Sequence, residues 1–147
     1  MSLYSTIVAW YQQHKRDLPW RQTSDPYAIW VAEIMLQQTK VETVIPYYQR
    51  FMKQFPSLLH VAQSEEQTLL KAWQGLGYYR RVRNMKKAAT IIIDTYQGQF
   101  PLTYDTLLTL PGIGRYTAAS IAAIAADAPC IGVDGNVMRV YARLYAY

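Results

Sequence analysis

The chain has 147 residues, 51% of them hydrophobic and only 17% charged. That balance supports one packed domain, or one domain with part of another, and excludes a disordered chain. No apolar run reaches the roughly 18–20 residues of a membrane span, and the N-terminus lacks a basic n-region and a cleavage motif. The single cysteine, Cys130, excludes an internal disulfide framework and a four-cysteine metal site within this chain. A reducing, cytoplasmic compartment is expected, and the net charge of +5 is compatible with nucleic acid.

In chain order the sequence reads as helix after helix, without sustained period-2 alternation. Leu3, Ile7, Val8 and Trp10-Tyr11 mark a first amphipathic helix. Asp17 to Arg21 is a loop, because Pro19 disfavours helix at the residue before it. Asp25 can cap and Pro26 suits a first helical position, so a helix follows from about Tyr27 to Gln38. The next runs from about Val41 to Phe55, with Pro46 in its first turns or kinking it. Ser64-Glu65-Glu66-Gln67 fits a capping box and opens a short helix through Trp73, which Gly75-Leu76-Gly77 ends. A long basic helix covers Arg80 to Tyr96 and stops near Gly98 and Pro101.

Thr103 or Asp105 opens a short helix ending at Leu110. Pro111-Gly112-Ile113-Gly114 turns the chain into an alanine-rich helix, Tyr116 to Ala126, whose small side chains permit close packing. Asp134 can cap a last helix, Gly135 to Tyr147. There Val137, Val140, Tyr141, Leu144 and Tyr145 form an apolar stripe still running at the end of the sequence, as in a piece of a longer protein.

Three features carry chemistry. The Pro-Gly-Ile-Gly turn puts consecutive N–H groups at a helix start, where free donors and the dipole attract a phosphate. Gly112 and Gly114 permit close approach, and Ile113 anchors the turn. By itself such a turn reads as an ordinary αα-corner. Glu33 lies within the apolar run Trp30 to Leu36, where burial raises a carboxyl pKa, unless the side chain reaches solvent. Asp134 is a second carboxylate, fixed as a helix cap. Arg80, Arg81, Arg83, Lys86 and Lys87 follow the pair Tyr78-Tyr79 and read either as a solvated face or as phosphate contacts.

The full string Leu110-Pro111-Gly112-Ile113-Gly114-Arg115-Tyr116-Thr117-Ala118 resembles the helix-hairpin-helix of the endonuclease III-like DNA glycosylase superfamily. The resemblance extends over nearly the whole chain. Leu18 to Arg21, Glu33 to Thr39, Gly75 to Tyr79 and Val133 to Val137 occur in the family's order and at about its spacing. They are most similar to the adenine DNA glycosylase branch (MutY type), which removes adenine mispaired with 8-oxoguanine.

The resemblance implies an all-α fold: a six-helix barrel domain over residues 21–133, with the helix-hairpin-helix at about 103–126. Residues 1–20 would form one helix of a second, incomplete lobe, and residues 134–147 would begin the helix carrying the catalytic aspartate. It also implies roles. Glu33 protonates adenine at N7 and later helps activate water; Asp134 stabilises or attacks the positive sugar; Asn136 hydrogen-bonds within the site. Tyr116 stands where bifunctional relatives carry a Schiff-base lysine, which implies a monofunctional enzyme that leaves an abasic site. Trp20, Arg21, Leu36 and Val41 match the adenine pocket. Gln38, Thr39, Leu76 and Tyr78 match positions that wedge into the duplex or contact 8-oxoguanine. Gly112, Ile113, Gly114, Arg80 and Arg81 would meet DNA phosphates.

The implied partner is double-stranded DNA with an A:8-oxoguanine (or A:G) mispair, bound by a monomer in the bacterial cytoplasm at the nucleoid, with no membrane. Many family members hold a [4Fe–4S] cluster on four cysteines and carry a C-terminal 8-oxoguanine-recognition domain; in this chain no metal site is expected, and those parts would lie beyond Tyr147 in a full-length parent. Two other readings stay open. An endonuclease III-like pyrimidine glycosylase conflicts with Tyr116, and a DNA-binding hairpin module without strong catalysis conflicts with Glu33 and Asp134 occurring together.

Overall fold

A computed structural model describes residues 2–146; Tyr147, the expected end of the last helix, lies outside the described residues. Among the described residues there are nine α-helices, one 3-10 turn and no strand. The helices are α1 (Leu3–His14), α2 (Pro26–Leu36), α3 (Val41–Gln54), α4 (Leu58–Gln63), α5 (Glu66–Trp73), α6 (Arg80–Tyr96), α7 (Tyr104–Leu108), α8 (Arg115–Ala126) and α9 (Gly135–Tyr145). The all-α expectation holds, and no helix among the described residues is long and apolar enough to cross a membrane.

Local chemistry explains most boundaries. The Asp25 carboxylate accepts from the Tyr27 N–H and Pro26 occupies the first turn, so α2 starts there. The Thr103 hydroxyl opens α7 by accepting from Thr106 N–H, and Asp134 opens α9 by accepting from Val137 N–H at 2.8 Å. Gln97 and Asp127 adopt left-handed backbone just past α6 and α8 and end them. Pro46 sits inside α3, which continues through it.

Several details differ from the sequence expectation. A six-residue helix, α4, precedes α5; it is too short to show a periodic stripe. Ser64 therefore ends α4, and its hydroxyl donates back to the His60 carbonyl instead of forming a capping box. Residues Pro19–Arg21 form a 3-10 turn within the expected loop, and α2 stops at Leu36, leaving Gln37 and Gln38 outside it.

The core is built around α2. Tyr27, Ala28, Ile29, Trp30, Val31, Ala32, Ile34 and Met35 are all buried, so this helix is covered on nearly every side. It packs against α3 and α8, while α6 lies on α4 and α5. Buried Ala118, Ala119 and Ala122 on α8 have no long side chain to hold that helix away from α2. Phe51 and Trp73 meet edge to face at 6.0 Å between ring centres and join α3 to α5. By contrast, α1 and α9 bury none of their residues.

Candidate active site

The close α2–α8 contact determines where the polar groups fall. Glu33 is the only charged residue of α2, and a cleft of about 1110 Å³ opens beside it. Trp20, Arg21, Leu36, Gln38 and Val41 line this cleft together with Glu33, Tyr116, Ser120 and Asp134. The four residues expected to form a base pocket and the two expected carboxylates thus share one cavity.

The carboxylates are held differently. Burial pushes the Glu33 carboxyl above the usual glutamate range, and a hydrogen bond from the Ser120 hydroxyl to Oε1, at 3.0 Å, draws it partly back. Asp134 is fixed by its cap bond, and its Oδ2 accepts from Asn136 Nδ2 at 3.4 Å. Arg139 in turn donates to the Asn136 Oδ1. Asn136 therefore bonds within the site, against Asp134. Tyr116 is 42% exposed. Burial first, then the charges of Glu33 and Asp134, push its phenol above the ordinary tyrosine range, so the ring lies in the field of both carboxylates. Gly132 packs on that ring: a Cβ there would stand 2.9 Å from Tyr116 Cε2.

The hairpin between α7 and α8 is pinned from beneath by buried Leu110 and Ile113. Gly112 has φ +79° and approaches the Asn84 side chain, where a Cβ would have 3.0 Å to the Asn84 Cβ. Gly114 directly precedes α8, leaving that helix's first-turn N–H groups without helical acceptors. Gln37, not singled out from sequence, ties the end of α2 to this hairpin. Its Nε2 donates to Thr117 Oγ1 at 3.1 Å and to the Gly112 carbonyl at 3.4 Å. A second groove of about 440 Å³ runs from Pro111 and Gly112 past Asn84 and Arg80 to Gln38 and Tyr78.

Arg81 requires a correction. It is only 8% exposed, and its guanidinium is occupied by protein. Nη1 donates to the carbonyls of Ile34, Met35 and Gln37; Nη2 donates to Thr39 Oγ1 at 3.1 Å and to the Gly77 carbonyl at 3.2 Å. Both terminal nitrogens are spent on five internal acceptors, and the remaining N–H, on Nε, is buried without a partner, so none faces outward to a phosphate. Its work is to clasp residues 37–39 to residues 75–78. Both segments are bent through left-handed backbone, at Gln38 (φ 60°) and Tyr78 (φ 48°).

Leu76 is the second correction: it is 7% exposed and belongs to the core, while Tyr78 is 62% exposed. Of this loop, the tyrosine is open to solvent and the leucine is covered. Elsewhere on α6, Arg83 pairs with Glu66 at 2.8 Å and Lys86 donates to the Ala62 and Ser64 carbonyls. Arg80 and Lys87 remain exposed. A four-thiolate cluster does not fit the ligands present: the chain has one cysteine, and the described residues hold no group of three or more metal-ligating side chains.

A family model described as the HhH-GPD superfamily base excision DNA repair protein matches residues 31–147, which include Glu33, Tyr116 and Asp134. The chain belongs to the HhH-GPD superfamily. This HhH-GPD chain is 45% identical to an adenine DNA glycosylase of Mus musculus, over 97% of its own length and 29% of that protein's. It is 43% identical to the adenine DNA glycosylase of Buchnera aphidicola subsp. Baizongia pistaciae, over 97% of itself and 41% of that protein. It thus spans less than half of either relative. Among solved structures, a thermostable thymine-DNA glycosylase superposes with a TM-score of 0.87 at 31% identity, covering 92% of this chain and 63% of that one. A trapped endonuclease III–DNA covalent intermediate superposes with a TM-score of 0.85 at 25% identity, covering 96% and 65%.

Proposed function

We propose that the protein carrying this chain is a monofunctional DNA glycosylase that removes adenine paired with 8-oxoguanine or G from double-stranded DNA, acting as a monomer. The observation that carries this reading is one cleft lined by Glu33, Tyr116 and Asp134, with a carboxyl pushed upward by burial on one side and a helix-capping carboxylate on the other. The adenine glycosylase relatives at 43–45% identity support the choice of base.

In this reading the target nucleotide leaves the stack and its base enters the cleft between Trp20, Arg21, Leu36 and Val41. Glu33 donates its proton to N7. The C1′–N9 bond breaks, and its electron pair leaves with adenine, which departs neutral because of the new proton. Asp134 faces the positive charge that develops on the sugar. Water adds its oxygen to C1′ and returns a proton to Glu33, leaving an abasic site. A phenol forms no imine, so Tyr116 leaves the strand uncut. Tyr78 fills the gap in the duplex, with Gln38 and Thr39 beside it. The Gly112–Gly114 turn and Arg80 meet phosphates. The helices α1 and α9, which bury none of their residues, belong to a second lobe.

The test is excision from duplexes with a single A opposite 8-oxoguanine, read as strand breakage only after alkali. The same protein on oxidised-pyrimidine and G:T duplexes should do far less; preference for those would overturn the reading. Tyr116→Lys should acquire lyase character, seen as a borohydride-trapped covalent adduct with DNA, and a variant that excises adenine but yields no adduct would contradict the geometry assigned to Tyr116.

A further inference from the structure

Serine and threonine inside helices commonly turn their hydroxyl back to the carbonyl four residues earlier. Thr90 does so within α6, donating to the Lys86 carbonyl at 3.0 Å. Ser120, in the middle of α8, does not. Its hydroxyl crosses to another helix and donates to Glu33 Oε1. Ser120 stands four residues after Tyr116 and four before Ile124, on the one face of α8 that lines the cleft. The residues around it on α8, Ala118, Ala119, Ile121 and Ala122, are buried and apolar.

We infer that Ser120 is a positioning residue for Glu33: its hydroxyl donates to Oε1, so that the transferable proton sits on Oε2. A protonated carboxyl has one O–H to give and a second oxygen that accepts. With Oε1 held by Ser120, the donor oxygen is the other one, and no rotation of the carboxyl is needed before transfer. The same bond favours the ionised form and opposes the effect of burial. Ser120 thus keeps Glu33 acidic enough to release a proton to a weakly basic ring nitrogen. The inference rests on the acid role proposed for Glu33.

The other titratable groups lining the cleft are Tyr11, Lys15, Arg16, Asp17 and Arg21 from the first helix and the turn after it, Tyr116 from α8, and Asp134 before α9. Ser120→Ala changes none of them, and alanine is the best helix former, so the fold of α8 survives. The full-length protein is titrated by 13C NMR of labelled glutamate, with the Glu33 signal identified by its absence in Glu33→Gln. In Ser120→Ala the Glu33 midpoint moves to higher pH, and Ser120→Thr, which keeps a hydroxyl, moves it back. Single-turnover adenine excision follows: the basic limb of the rate–pH profile shifts upward, while the plateau at low pH falls about threefold to tenfold, as expected for one neutral hydrogen bond lost from a positioned acid, with KM unchanged. An unmoved Glu33 titration in Ser120→Ala overturns this inference whatever the activity does. A moved titration with an unmoved rate profile also overturns it. No excision by the wild-type protein, or full excision by Glu33→Gln, overturns the acid role itself, and the two failures are therefore distinguishable.

Discussion

Glu33 and Asp134 face the same cleft from opposite physical settings. Glu33 is set into the most buried helix of the molecule, with apolar neighbours in sequence and one serine hydroxyl for company. Asp134 stands at the start of a helix that buries nothing, anchored by a backbone N–H and an asparagine. The first setting favours a neutral, proton-holding carboxyl; the second fixes a carboxylate in place without removing it from water. Two residues of nearly identical chemistry thereby sit in different surroundings, which is what the different tasks proposed for them require.

The comparison is broken most severely at Glu33. Glu33→Gln removes the proposed proton donor with almost no change of shape, and excision is expected to fall by about 10²- to 10⁴-fold. Stability moves the other way. Below the ordinary glutamate range both the folded and unfolded chains carry the proton, and Glu33 costs nothing. As pH rises through that range the unfolded chain ionises first while the buried carboxyl holds its proton, so the folded state loses stability until its own raised pKa is passed. Glu33→Gln abolishes that decline. Urea denaturation at pH 4 and pH 8 should show the variant gaining on the wild type at the higher pH, and equal behaviour at both would place Glu33 in solvent.

Asp134 separates charge from capping. Asparagine caps as well as aspartate, so Asp134→Asn keeps α9 but loses the charge, and excision falls by roughly 10²-fold. Asp134→Ala loses both and costs about 1 kcal/mol more in stability. If the two variants lose equal activity and Asp134→Asn is also unstable, the residue is a cap alone.

Arg81 and Arg80 offer a smaller contrast of the same kind. Arg81→Met strips the clasp between residues 37–39 and 75–78 and destabilises the fold by about 3 kcal/mol, from lost charge-assisted bonds. Arg80→Ala leaves stability within about 0.5 kcal/mol but weakens DNA binding and flattens its salt dependence. A phosphate role for Arg81 would produce the reverse pattern in the two salt titrations. The smallest expected effect is at Gly132. Gly132→Ala forces the Tyr116 ring to shift, costing about 1 kcal/mol and a few-fold in excision; an unchanged melting temperature and rate would show that the ring has room.

Much of the site was legible because its signals are local. Asp25-Pro26, the Pro111–Gly114 turn and the cap at Asp134 are short-range chemistry. Glu33 announced itself as one charge in an apolar run. The failures have equally plain causes. Ser64 looked like a capping serine because nothing in sequence showed that α4 would end on it. Arg81 and Leu76 sit beside residues that do face outward, and a stretch of basic or loop residues does not say which member turns inward. Ser120 and Gln37 were missed because their partners, Glu33 and Thr117, lie more than eighty or near eighty positions away in the chain.

The sequence alone determined most of the helices and caps, the hairpin and the pair of carboxylates, since each depends on neighbours within a turn or two. Tertiary structure decided which side chains share the cleft, that Arg81 is a clasp, that Tyr78 rather than Leu76 is exposed, and that a serine hydroxyl meets Glu33. Those outcomes depend on how closely α2 and α8 approach, a consequence of packing over the whole core.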